Sequence, residues 1–239
     1  MEITRLDALW KCNKCGACTA MCPLYQQTVQ EGMVARGKLA LLEAVVEKRL
    51  RPSRVLRERL EDCLLCGACA QNCPSLVPTT DLFLEARAEL ARDLGIPLPI
   101  RLLLGALRSP GVLDLGMPGL RLFQQSVLPR LVEGRVGSVV PEVVRAAVRA
   151  APPLPARPYR SRAFPSEAGG TRPKGTVAYF VGCFMNWGYA DAAEATRVVL
   201  LRSGYQVESP PVVCCGVPHR AYGDAEGARQ LARKNIDVL

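Results

Sequence analysis

The sequence predicts a mainly α-helical N-terminal part, followed by a linker and a small α/β domain. Three observations carry this. Residues 12–23 (CNKCGACTAMCP) and 63–74 (CLLCGACAQNCP) form an internal repeat offset by 51 residues, joined and followed by segments of helical periodicity. Residues 151–173 then hold six prolines and two glycines, which interrupts that periodicity. Beyond them, β-branched runs alternate with amphipathic ones in a β-α-β-α order.

Residues 1–95 make the first predicted domain. Lys38–Leu50 predicts a helix with Leu39, Leu42 and Val46 on one face. Thr80 or Asp81 is placed to cap a second helix running to about Asp93, with Phe83, Ala86, Leu90 and Leu94 as its buried stripe. The cysteine loops thread between these helices. Residues 96–173 combine short amphipathic helices, broken at Pro110, Pro118, Pro129 and Pro141, with the linker that holds Pro152, Pro153, Pro155, Pro158, Pro165, Pro173, Gly169 and Gly170. In the last domain, residues 174–239, Thr176–Val181 predicts a strand ending at Gly182 and Cys183. A helix follows at about Ala190–Arg202, then a second strand near Tyr205–Glu208. Tyr222, Gly223 and Asp224 predict a turn and a helix cap. The final helix starts at about Asp224, with Ala228, Ala232 and Ile236 on one side.

A length of 239 residues, 49% of them apolar, is enough for a packed interior and argues against wholesale disorder. The eleven cysteines are an odd number, which argues against a closed set of disulfides. Met1 to Lys11 contains no apolar signal region, so the thiols are expected in a reducing compartment, binding metal rather than each other. The formal charge is +9. Two oxidised cubane clusters on eight thiolates would lower it to about +5. No apolar run reaches spanning length, and Leu102–Leu107 lies between Arg101 and Arg108.

The spacing C-x₂-C-x₂-C-x₃-C-P occurs twice, and it is specific. Three closely spaced cysteines on a curling loop reach three irons of one cubane, while the fourth, turned away by the following proline, ligates the other cluster in two-cluster ferredoxins. The expected ligand sets are therefore Cys12, Cys15, Cys18 and Cys73 for one [4Fe–4S] cluster, and Cys63, Cys66, Cys69 and Cys22 for the other. Gly16 and Gly67 sit mid-loop, where a small residue lets backbone N–H groups approach the sulfurs. The alternative, a structural zinc site, is ordinarily built from two separated C-x₂-C pairs. Cys183 and the vicinal pair Cys214–Cys215 are a different set: spacing alone reads them as readily as buried or incidental thiols as ligands.

The doubled cysteine motif, ARGK at Ala35–Lys38 and CPS at Cys73–Ser75 resemble the iron–sulfur subunit of glycolate oxidase. VAYFVGC (Val177–Cys183) and CCGVP (Cys214–Pro218) resemble both that subunit and the iron–sulfur subunit of anaerobic glycerol-3-phosphate dehydrogenase, with ARKNID (Ala232–Asp237) adding to the match. The resemblance implies an α-helical ferredoxin in residues 1–95 and a CCG domain, shared with cysteine-rich subunits of heterodisulfide reductase, in residues 174–239. It also implies that Cys183, Cys214 and Cys215 can hold a further iron–sulfur cluster if more ligands are supplied. No cysteine follows Cys215, and the chain stops 24 residues later, which reads as a shortened, partial CCG domain.

No nucleotide or flavin signature is present, and the single histidine, His219, reads first as a local hydrogen-bonding residue. The resemblance therefore implies an electron-transfer subunit. Its partner would be a flavoprotein oxidising glycolate, lactate or glycerol 3-phosphate, with quinone as the destination of the electrons. The alternative is a heterodisulfide-reductase-like thiol–disulfide catalyst using the CCG site. The basic stretch at residues 96–174 has two readings: a solvated arginine-rich surface, or peripheral attachment to the cytoplasmic face of an anionic membrane. No nucleic-acid motif accompanies the charge.

Overall fold

In the computed structural model, residues 5–134, 140, 142–162 and 173–239 are described, so Pro141, Pro165, Gly169 and Gly170 lie outside the described residues. The helices, in chain order, are α1 (Leu6–Leu9), α2 (Ala17–Met21), α3 (Pro23–Thr28), α4 (Ala35–Val46), α5 (Arg54–Glu61), α6 (Ala68–Gln71), α7 (Thr79–Leu94), α8 (Leu98–Arg108), α9 (Pro110–Gln125), α10 (Leu128–Glu133) and α11 (Glu142–Ala150). Then come β1 (Thr176–Ala178), α12 (Cys183–Trp187), α13 (Ala190–Arg202), β2 (Gln206–Glu208), α14 (Val217–Ala221) and α15 (Ala225–Ile236). Two compact units result: the chain up to Leu104 with Gly216–Arg229, and Gly105–Cys215 with Gln230–Leu239.

The first unit is built on one apolar core. Leu39 and Leu42 of α4, Leu56 and Leu60 of α5, and Leu82, Phe83, Ala86 and Leu90 of α7 are all buried in it. Ser53 starts α5 by accepting a hydrogen bond from the N–H of Leu56 at 3.2 Å. Helix α4 begins three residues earlier than its periodicity suggested and ends at Val46, shortly before Lys48 takes a left-handed backbone at φ 60°. Neither Thr80 nor Asp81 caps α7. The helix starts at Thr79 after Pro78, Asp81 pairs with Arg5 at 2.5 Å in the first turn, and Leu94 runs off the core to 39% exposure.

In the second unit β1 and β2 pair in parallel, Val177 opposite Val207, with α12 and α13 as the crossover that a parallel pair requires. Val181, Ala190 and Ala193 form its core together with Tyr159, which is 1% exposed and meets Tyr179 edge to face at 6.1 Å. The proline-rich stretch thus contributes a core side chain. Gln124 also fastens it, donating to the carbonyl of Pro152 at 2.9 Å and accepting from the N–H of Leu154 at 3.0 Å. Pro110 and Pro129 open α9 and α10, where the missing N–H has no intrahelical acceptor, whereas Pro118 lies inside α9 and does not end it. Helix α15 buries Ala228, Leu231 and Asn235; the expected Ala232 and Ile236 are exposed. Asn235 displaces them from the inner face because its amide accepts from the N–H of Val213 at 2.8 Å and donates to the carbonyl of Cys214 at 3.1 Å.

Gly37 of the ARGK segment marks the tightest approach in the first unit. A Cβ there would lie 2.0 Å from the carbonyl oxygen of Glu31, because the 3₁₀ turn at Glu31–Met33 rests on α4. Gly37→Ala would stabilise an isolated helix by about 1 kcal/mol. Here the sign reverses, and overpacking is expected to destabilise by about 1–3 kcal/mol. A lower urea midpoint for the variant, measured on anaerobically purified protein, is the check.

Candidate functional site

The two cysteine loops share one backbone solution. Gly16 (φ 85°) and Gly67 (φ 79°) are left-handed residues immediately before α2 and α6. At the matching position two residues earlier, Lys14 (φ 60°) and Leu65 (φ 52°) are left-handed as well. Each loop therefore curls twice within five residues, which turns its first three cysteines to one side. Gly16 also allows Arg36 to lie over the first loop: a Cβ there would stand 2.8 Å from the Arg36 guanidinium, which itself donates to the carbonyl of Lys14 at 3.4 Å.

The loops line two cavities. One carries Cys12, Cys15, Cys18 and Cys73 on its wall. The other carries Cys22, Cys63, Cys66 and Cys69. Cys69 reaches the wall of the first cavity too. The fourth cysteine of each motif thus stands with the first three of the other. Cys15 and Cys66 are exposed, and the remaining six are partly buried. Burial pushes the Cys18 and Cys69 thiols up, so as bare thiolates they would be costly in place, and a bound metal relieves that cost. The Val77 N–H donates to Cys73 Sγ at 3.4 Å, and the Thr79 hydroxyl lies 3.0 Å from Cys69 Sγ. Among the described residues no three His, Cys, Asp or Glu side chains converge as around a single ion. A four-iron cluster takes one thiolate per iron and spreads its ligands over a wider cavity, so soft thiol donors in two such cavities fit a pair of cubane clusters.

Sequence reasoning missed two buried cations. Lys38, 1% exposed, lines the cavity of Cys22, Cys63, Cys66 and Cys69 and donates to the carbonyl of Met33. Arg87, 5% exposed, donates to the carbonyls of Leu60, of Glu61 at 3.2 Å, of Cys63 at 2.7 Å and of Ala221 at 3.0 Å. Burial pulls both groups below their ordinary values. Periodicity was the available signal: Lys38 is spaced i, i+4 with Leu42, and Arg87 is spaced i, i+4 after Phe83 and i, i+3 before Leu90. By contrast Lys14 pairs with Glu43 at 2.9 Å and Arg36 with Glu31 at 2.6 Å. Glu43 holds the Lys14 ammonium above its ordinary range, and Arg36 holds the Glu31 carboxyl below its own.

His219 falls within the first unit, fully buried, with Nδ1 2.7 Å from Asp224 Oδ2. The other oxygen of Asp224 accepts from the Gly227 N–H at 2.9 Å and caps α15, after the turn at Gly223 (φ 82°).

In the second unit the structure brings Cys183 and Cys214 together on one cavity, with Arg160, Asp114 and Trp187. Cys214 is buried, whereas Cys215 is exposed and lies off that cavity wall. The Arg160 guanidinium donates to the carbonyl of Val181 at 2.5 Å, and its backbone N–H to Asn186 at 2.9 Å. A hydrogen bond with Cys214 lowers the Cys183 thiol from the ordinary 9.0 to about 7, against the opposing effect of burial.

Comparison with known proteins finds two matching segments. Residues 8–77 match the model of a 4Fe-4S dicluster domain, and residues 177–239 match that of a cysteine-rich domain, CCG. The chain is 30% identical to the probable glycolate oxidase iron-sulfur subunit of Bacillus subtilis (strain 168), over 95% of this chain and 53% of that protein. It is 30% identical to the glycolate oxidase iron-sulfur subunit of Escherichia coli (strain K12), over 95% of this chain and 51% of that one. It is 22% identical to a subunit of the dihydromethanophenazine:CoB--CoM heterodisulfide reductase of Methanosarcina acetivorans, over 100% of this chain and 53% of the relative. The chain thus spans about half the length of these curated relatives. No solved structure matches it significantly.

The Cys183 environment makes a chemical prediction. Iodoacetamide should alkylate Cys183 with a rate that rises through pH about 7, because the thiolate is the reacting form. In Cys214→Ser, peptide mapping should find the rise displaced to higher pH.

Proposed function

We propose that the helical unit binds two [4Fe–4S] clusters, on Cys12, Cys15, Cys18 and Cys73 and on Cys63, Cys66, Cys69 and Cys22, and passes electrons for a flavin-dependent dehydrogenase. The observation that carries this reading is the pair of cavities, each with three cysteines of one motif and the fourth of the other on its wall, Cys69 reaching both. When bound, such clusters supply one-electron chemistry. The chain's own part is to orient the thiolates through the two left-handed curls and to direct the Thr79 hydroxyl and the Val77 N–H at sulfurs.

The dicluster match and the similarity to glycolate oxidase iron-sulfur subunits support an electron-transfer role. Hydride chemistry then belongs to a partner flavoprotein oxidising glycolate or lactate, or glycerol 3-phosphate. Electrons leave towards quinone. No helix among the described residues is long and apolar enough to cross a membrane. The same proposal places the complex in the cytoplasm, held peripherally at the cytoplasmic membrane face through the basic stretch at residues 96–174.

A second reading, thiol–disulfide catalysis at the CCG site, draws on the contact between Cys183 and Cys214 and on the similarity to the heterodisulfide reductase of Methanosarcina acetivorans. Cys214→Ser separates the two. A catalyst loses its activity, whereas the pair of N-terminal sites still becomes reduced.

Anaerobically purified protein should contain about eight iron and eight acid-labile sulfide per chain. About twelve of each would place a third cluster at Cys183, Cys214 and Cys215. Zinc without sulfide would refute the cluster reading. A glycolate oxidase flavoprotein with glycolate should reduce the clusters, as followed by EPR. Cys22→Ser and Cys73→Ser should each damage the cluster of the opposite motif.

A further inference from the structure

The repeat supplies the same ligand types to both cavities, yet their electrostatic surroundings differ. At Cys12, Cys15, Cys18 and Cys73 the nearby cations are neutralised: Lys14 by Glu43 at 2.9 Å and Arg36 by Glu31 at 2.6 Å. Lys14 is also well exposed to solvent, which screens its charge further. At Cys22, Cys63, Cys66 and Cys69 the cations are Lys38 on the cavity wall and Arg87 on the carbonyl of Cys63. Both are buried, and among the described residues neither forms an ion pair with a carboxylate; their hydrogen bonds go to neutral carbonyls. The acids in their neighbourhood, Glu61 and Asp62, form no ion pair with either: burial raises the Glu61 carboxyl above its ordinary value, and Asp62 is solvent-exposed and lies 4.0 Å from Arg59.

Two interior cations without carboxylate partners are costly unless an anion sits beside them. A thiolate-ligated cluster is such an anion, and each electron it accepts adds one negative charge. An interior cation at short range stabilises that added charge with little screening, which favours the reduced form. Hydrogen bonds do not separate the sites in the same way, since Cys73 receives an N–H at 3.4 Å and Cys69 faces a hydroxyl at 3.0 Å.

We infer that Lys38 and Arg87 hold the site at Cys22, Cys63, Cys66 and Cys69 at the higher reduction potential of the pair, so that an electron delivered to the unit comes to rest there. The inference builds on the two-cluster reading above. The transfer it orders is a single electron lost at one site and gained at the other, with no bond or proton moved. Lys38 and Arg87 are positioning residues that set the direction.

The test is an EPR-monitored potentiometric titration of anaerobically purified protein with dithionite. Two one-electron waves are expected, with Cys66→Ser displacing or removing the higher and Cys15→Ser the lower. In Lys38→Met the oxidised-to-reduced ratio of the higher wave should rise at least tenfold at fixed potential, equivalent to about 59 mV for one electron. Lys38→Arg should restore it, and Lys14→Met should leave that wave in place. Coincident waves, displacement of the lower wave by Cys66→Ser, or an unmoved higher wave in iron-replete Lys38→Met would each overturn the inference. If Lys38→Met fails to load iron, the two serine variants alone decide the order. Protein lacking iron and sulfide would instead bring down the two-cluster reading, and the inference with it.

Discussion

The helical unit depends on one buried guanidinium. Helix α5 ends at Glu61, where the last carbonyls of any helix have no intrahelical partner, and the second cysteine loop starts two residues later. Arg87 of α7 reaches across and takes the carbonyls of Leu60, Glu61 and Cys63, then that of Ala221 in α14. A carbonyl left unsatisfied in an interior costs about 1–3 kcal/mol, and so does a donor. The arrangement therefore closes both needs at once: the helix end gains donors and the buried cation gains acceptors. Because the same side chain touches the loop that carries Cys63, the position of that loop is set from the core outward.

What the core fixes, the loops then express. Non-glycine residues in the left-handed region cost about 1–2 kcal/mol each, yet Lys14 and Leu65 adopt it at equivalent places in the repeat. The shared conformation is what brings the first three cysteines of each motif to one cavity wall, and the buried stripes of α4, α5 and α7 hold both loops against the same core. The partly buried Cys12, Cys18, Cys63, Cys69 and Cys73 pack on that core as well, so the apolar interior continues up to the sulfurs. Clusters bound on these thiols would couple binding to folding of this unit, because the side chains that form the walls would also be the ligands.

The spacing of the cysteines made their grouping on two cavity walls legible, because it constrains loop curvature. The α13 boundaries were legible too, from an amphipathic run between turn residues. Register was harder. A stripe read from hydrophobicity alone included Leu94 and Ile236, which are exposed, and left out Asn235, which is inside because its amide ties two backbone groups. Tyr159 was concealed by the prolines around it, since composition reports stiffness and says little of what a single aromatic ring packs on. Lys38 and Arg87 escaped for the converse reason. Residue type assigned them to the surface, while their position on the helical stripe assigned them to the interior, and position prevailed.

That last conflict bears on how a duplicated motif becomes directional. Two copies of one spacing present four sulfurs each in similar loops, so the repeat by itself offers no gradient along which charge would move. Any inequality has to come from residues that the repeat does not contain. Here Lys38 follows Gly37 in the segment between the copies, and Arg87 lies on the helix after the second; both serve one copy. The first copy meets cations already matched to Glu31 and Glu43. Duplication thus supplies two nearly equal holders, and helices outside the duplication make them unequal by placing uncompensated charge in the low-dielectric interior beside only one of them.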